Sequence, residues 1–146
     1  MNIIKLYRIG NFLHNKNIPV LPKIIYYIQF FMFNSSIPPE AEIGTGTKCA
    51  YGGIATVIHN RAKIGSDCII GHGVTIGGRS KLFEVPVIGD RVYIGAGVRI
   101  LGNVTIGDDV VIGANSVVIK DIPSRSVAVG VPAKVIKRDI DPTEFY

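Results

Sequence analysis

Three histidines, His14, His59 and His72, are the side chains of this sequence best suited to exchanging a proton at neutral pH, because an unperturbed imidazole titrates at about 6.5. Their settings differ. His14 stands beside Asn and Lys in "FLHNKN" and reads as a solvated surface residue, whereas His59 ends the run "YGGIATVIH" and His72 sits in "IIGHGVTIGG". The two cysteines, Cys49 and Cys68, have no Cys-x-x-Cys partner and the histidines no ligand spacing, so no metal centre is expected. Nothing near Cys49 would lower its pKa and Cys68 falls in a slot for small core residues, so neither is expected to act as a nucleophile. The chemistry open to this set is general acid–base work by imidazole.

The composition narrows the partners. The 146 residues make one domain, and 47% apolar against 18% charged residues excludes disorder. The net charge of +5 comes from scattered lysines and arginines with no dense basic run, so nucleic acid is not an expected partner. A few cations near the C-terminus suit a phosphorylated small ligand. Two cysteines without a secretory leader indicate free thiols in a reducing, cytoplasmic setting.

The elements that must position the histidines follow from a six-residue period. Aliphatic residues recur at Ile58, Ile64, Ile70 and Ile76, then at Ile88, Ile94, Ile100, Ile106, Ile112 and Val118, most of them followed by glycine. Four places after each isoleucine comes a small or β-branched residue, as at Ala62, Cys68, Val74, Val92 and Val98. A helix of about 3.6 residues per turn cannot hold every sixth residue on one face, and Gly-x-x interrupts strict two-residue alternation. A two-residue strand followed by a corner does fit, with each hexapeptide forming one side of a solenoid and its isoleucines stacked inward.

His59 follows an inward isoleucine at the position where most repeats carry glycine, and such a replacement at a turn is costly unless the side chain is used. His72 lies two places after Ile70. Both are expected on the outer surface. The period slips by three between Ile43 and Ile58, and by a full repeat between Ile76 and Ile88, where "GGRSKLFEVPV" reads as a loop over about residues 78–87.

The chain divides into three parts. Residues 1–37 lack the repeat and read as two short helices separated around Pro19 and Pro22. The apolar stretch from Ile24 to Phe33 is shorter than the roughly 20 residues a bilayer demands. It is expected to cap the open end of the solenoid; the alternative is a peripheral contact in which Lys5, Arg8, Lys16 and Lys23 rest on an anionic membrane surface. Residues 38–122 form the β-helix, and residues 123–146 leave it at Pro123 and end in a mobile polar tail.

The runs "IGDRVYIGAGVRILGNVTIGDDVVIGANSVVIKDIP" and "VAVGVPAKVIK" resemble the hexapeptide-repeat acyltransferases, in particular serine acetyltransferase and the O-acetyltransferases of bacterial polysaccharide synthesis, over about Ile37 to Arg138. The resemblance implies an all-β solenoid, a left-handed parallel β-helix with three hexapeptides per turn behind a short α-helical segment. It also implies a homotrimer with active sites in the clefts between subunits, and acetyl-CoA as donor. Small residues at Gly77, Ala96 and Ala114 would line the groove for the pantetheine arm, and Lys120, Lys134 and Lys137 would face the adenosine phosphates.

Acyl transfer to a hydroxyl needs a base, for which His59 is the first candidate and His72 the second, as partner or as the base itself. The Asp-His pair and loop histidine usual in serine acetyltransferases correspond here to Tyr51-Gly52 and Val85. That substitution and the short N-terminal segment favour a sugar hydroxyl in surface polysaccharide synthesis as acceptor. Serine is the alternative, and a non-catalytic scaffold the third reading.

Overall fold

The computed structural model describes residues 2–146. Two helices come first, α1 (Ile3–Asn15) and α2 (Leu21–Phe33), and all the strands that follow are short. Parallel pairing arranges those strands into three faces. The first stacks β1 (Glu42–Ile43), β4 (Lys63–Ile64), β7 (Val87–Ile88) and β10 (Thr105–Ile106). The second stacks β2 (Lys48–Cys49), β5 (Ile69–Ile70), β8 (Tyr93–Ile94) and β11 (Val111–Ile112), and is extended by β13 (Ser126–Gly130) and the antiparallel β14 (Ala133–Arg138). The third stacks β3 (Val57–Ile58), β6 (Thr75–Gly77), β9 (Arg99–Leu101) and β12 (Val117–Val118).

Register follows the period. Ile43 pairs with Ile64, Ile64 with Ile88 and Ile88 with Ile106, so one column of isoleucines runs through the first face. Equivalent columns fill the other two, and the residues four places on, such as Ala62, Cys68, Val74 and Val98, are fully buried beside them. Burying each isoleucine contributes about 1.5–3 kcal/mol. The slip of three before Ile58 is explained by the 3-10 turn Ala50–Gly53: Cys49 takes the inward position six places after Ile43, and the extra residues are spent on the corner. The longer gap is an insertion at one corner. Ile88 continues the first face directly beside Ile64, and the residues between Gly77 and Val87 contain no strand.

The glycines after each isoleucine answer to the neighbouring coil. A Cβ on Gly71 would lie 2.6 Å from the Ala96 nitrogen, and one on Gly95 would lie 2.6 Å from that of Ala114. Neither has a positive φ, so close approach of stacked backbones and not backbone freedom demands glycine there. The corner after the first face is tied by side chains instead: the Ser66 amide donates to Asp90 Oδ1 and the Asp90 amide to Asp108 Oδ1, each at 2.7 Å.

Helix α1 covers the first coil. Ile3 and Tyr7 are buried, the Tyr7 hydroxyl donates to the Ala41 carbonyl at 2.5 Å, and Asn2 Nδ2 donates to the Cys49 carbonyl at 2.8 Å. Arg8 donates to the carbonyls of Ile43 and Gly44. Helix α2 packs on α1, where Gly10 admits the Ile25 side chain, and turns Ile24, Tyr27, Ile28 and Phe31 outward. Among the described residues no helix is long and apolar enough to cross a membrane. The C-terminal tail is docked, contrary to the expectation of mobility: Ile140 is buried, the Tyr146 ring stacks on Tyr93 at 5.1 Å, and its hydroxyl donates to the Arg91 carbonyl at 3.1 Å.

Two outcomes follow from this packing. Gly95→Ala should destabilise the fold by about 1–3 kcal/mol, the usual cost of forcing a buried clash. Gly77→Ala should be nearly neutral, because the nearest atom to its Cβ lies 3.7 Å away; denaturant midpoints at fixed protein concentration compare the two. Both cysteines are buried, and burial pushes the Cys49 thiol up to about 12, so each stays protonated well above neutral pH. A thiol reagent at pH 8 should therefore label neither cysteine in the folded protein and both after denaturation.

Candidate functional site

The candidate residues fall on two different corners. His72 leaves β5 at the corner between the second and third faces, and there the coils stack His72, Ala96 and Ala114 in one column. The Gly97 amide donates to the His72 carbonyl at 2.9 Å and the Asn115 amide to the Ala96 carbonyl at 2.8 Å, which holds the column in register. At its far end the Gly130 amide donates to Ser116 Oγ at 3.1 Å, and the β13–β14 pairing sets Lys134 opposite Val129. Along this column the small side chains of Ala96 and Ala114 lie between His72 and the β13–β14 turn.

His59 lies on the next corner, between the third and first faces, with Gly77 in the neighbouring coil. The column of Ala96 and Ala114 therefore does not include Gly77. Lys120 is exposed at the far end of the His59 corner, after β12, and is not grouped with Lys134. Lys137 faces the tail, with its Nζ 3.9 Å from Glu144, a solvent-exposed pair of little energetic weight. Of the three lysines assigned to phosphate, only Lys134 lies at the end of the His72 column.

Contrary to expectation, His59 occupies ordinary backbone. Its φ is not positive, so no conformational cost attaches to a histidine there. The glycines elsewhere exclude a Cβ because the next coil presses on them, whereas at this corner the neighbouring coil presents Gly77 and the one beyond it Leu101. Side chains simply fit.

Hydrogen bonding separates the two histidines. His59 Nδ1 accepts from the Arg61 amide at 3.1 Å. In the neutral ring the proton then sits on Nε2, making His59 a donor toward the surface. His72 is exposed, neither of its ring nitrogens has a hydrogen-bond partner among the described residues, and its edge meets the Tyr51 ring at a centroid distance of 5.2 Å. Tyr51, 79% exposed with φ at 50°, sits in the 3-10 turn of the same corner. The contact of Tyr51 with His72 depends on the extra turn in the first coil, which no spacing reveals. Among the described residues there is no His/Cys/Asp/Glu cluster able to hold a metal.

Comparison with known proteins places this geometry. A family profile described as bacterial transferase hexapeptide (six repeats) matches residues 86–120. Serine acetyltransferase of Synechococcus elongatus is 36% identical over 143 residues, covering 94% of this chain and 58% of the relative. Serine acetyltransferase of Helicobacter pylori strain J99 is 40% identical over 135 residues, covering 91% of this chain and 78% of the relative. The chain thus spans a little over half the length of the Synechococcus relative. The crystal structure of Brucella abortus serine acetyltransferase in complex with coenzyme A superposes with a TM-score of 0.87 at 31% identity, over 92% of this chain and 54% of that one. The solenoid is accordingly the left-handed β-helix that such repeats build. The chain belongs to the hexapeptide-repeat acyltransferase family that includes the serine acetyltransferases.

Proposed function

We propose that this chain is an acetyl-CoA-dependent O-acetyltransferase, working as a homotrimer, with L-serine as acceptor. The observation that carries the reading is the stacked column of His72, Ala96 and Ala114, small residues between an imidazole and the β13–β14 pair that bears Lys134. Such a column suits a pantetheine arm whose thioester lies by the imidazole and whose phosphates lie by the lysine. Serine is preferred to the sugar expected from the replaced Asp-His pair and loop histidine and from the short N-terminal segment, because the relatives on which the family rests are serine acetyltransferases.

Transfer is direct. The acceptor hydroxyl oxygen attacks the thioester carbonyl carbon while His72 takes the hydroxyl proton, forming the C–O bond. The tetrahedral intermediate then collapses with loss of the C–S bond, and the proton passes from His72 to the leaving thiolate. His72 is preferred to His59 as base because its ring nitrogens are uncommitted, whereas Nδ1 of His59 is held by an amide. Because the two histidines stand on different corners of one chain, His59 reaches the same acceptor from a neighbouring protomer of the trimer, as a hydrogen-bond donor through Nε2. The reading does not involve Cys49 or Cys68 as a nucleophile.

Release of free thiol from acetyl-CoA in the presence of L-serine tests the activity, and a panel of hexoses and nucleotide sugars tests the acceptor. His72→Ala should lower kcat about 100-fold or more, the usual worth of a general base, whereas His59→Ala should act chiefly on the acceptor KM. Near-normal turnover by His72→Ala would remove it from the role. Lys134→Glu should raise the acetyl-CoA KM with little change in kcat, as expected for a residue that only binds phosphate.

A further inference from the structure

Arg61 has no use in the scheme above, yet it is held in place. Its guanidinium carbon stands 3.8 Å from the centroid of the Phe83 ring, within the range of a stacked cation–π contact. Phe83 belongs to the insertion at the His59 corner, and the Arg61 amide is the group that fixes the His59 ring. A Cβ on Gly78 would touch both His59 and Val85 at 3.9 Å, so the base of the insertion closes around that ring.

The guanidinium itself is unmet. The ion pairs among the described residues are Lys63–Glu42, Arg91–Asp109 and Lys137–Glu144, and no side-chain hydrogen bond uses Arg61. Arg79 and Lys81 stand in the same insertion against one carboxylate, Glu84, so the corner is cationic. A planar fork of donors, immobilised by an aromatic face and lacking an internal acceptor, is preorganised for an external carboxylate. His59 Nε2–H adds a donor on the same corner.

We infer that Arg61, stacked on Phe83 beside His59, forms an acceptor-recognition subsite that selects hydroxy compounds bearing a carboxylate. This inference rests on the acetyltransferase reading and adds a determinant that reading does not contain. Both a hydroxy amino acid and an acidic sugar carry the required group, and comparison of L-serine with D-glucuronate separates them. Arg61 positions the acceptor and takes no part in the bond changes.

The test is a kinetic comparison of L-serine with its uncharged-end analogue, L-serinamide. Arg61→Gln should raise the L-serine KM at least 10-fold, leave the acetyl-CoA KM unchanged, and have no effect with L-serinamide. Phe83→Leu, which loses the ring but keeps an apolar loop contact, should give a smaller effect in the same direction. Equal losses with L-serine and L-serinamide, no loss with either, or a wild-type preference for glucose over both L-serine and D-glucuronate would overturn the inference. If the wild type acetylates no hydroxyl compound, the acetyltransferase reading fails and the subsite is judged by binding alone. In that case the Arg61 Nε–Hε resonance should shift on titration with L-serine or D-glucuronate but not L-serinamide, and an unmoved resonance would overturn it.

Discussion

Successive coils of a parallel solenoid are locked at the hydrogen-bonded strand spacing of about 4.8 Å, and that fixed rise governs nearly everything else in this molecule. It puts each isoleucine directly on the one before it, as in the column from Ile43 through Ile64 and Ile88 to Ile106. It also leaves no room for a Cβ where backbone meets backbone, which is why glycine stands at Gly71 and Gly95. Where the chain cannot satisfy a corner amide from its own backbone, a carboxylate from the next coil does so, as Asp90 and Asp108 do in turn. Longer excursions leave the stack only at its corners: the 3-10 turn at Ala50–Gly53 stands beside His72, and the insertion before Val87 beside His59.

This explains which parts of the structure were legible in the residues. A period of six can only be read one way once helix and simple strand periods fail, so the inward isoleucines and the small residues between them follow directly. The slip before Ile58 was equally visible, but not its cause, because Cys49 at an isoleucine position breaks the pattern that would have marked it. The corner glycines read from the sequence as conformational, which singles out His59; the contacts make them steric, and steric demand depends on which residue lies in the next coil. The pairing of Arg61 with Phe83 joins residues 22 positions apart through an aperiodic insertion, so no repeat analysis could bring them together.

In the proposed scheme donor and acceptor recognition are written in different ways. The donor side uses Ala96 and Ala114, small residues that the repeat itself stacks at one corner. The acceptor side of that scheme uses single departures from the repeat: Tyr51 T-shaped against His72, Nδ1 of His59 held by an amide, and a loop whose aromatic ring holds a cation. A family sharing one scaffold can therefore keep its donor while changing its acceptor through a handful of corner residues.

The reversal of direction at β14 bears on a property unrelated to catalysis. Parallel stacking is open-ended, and a bare terminal coil is a template on which another chain could continue the ladder. Here α1 lies across the first coil, anchored through Tyr7 and Arg8, while β14 runs antiparallel along the final strand of the second face. The first coil and the second face of the last coil are thereby covered. The reversal at β14 and the helix across the first coil thus work against propagation of the ladder into a fibre.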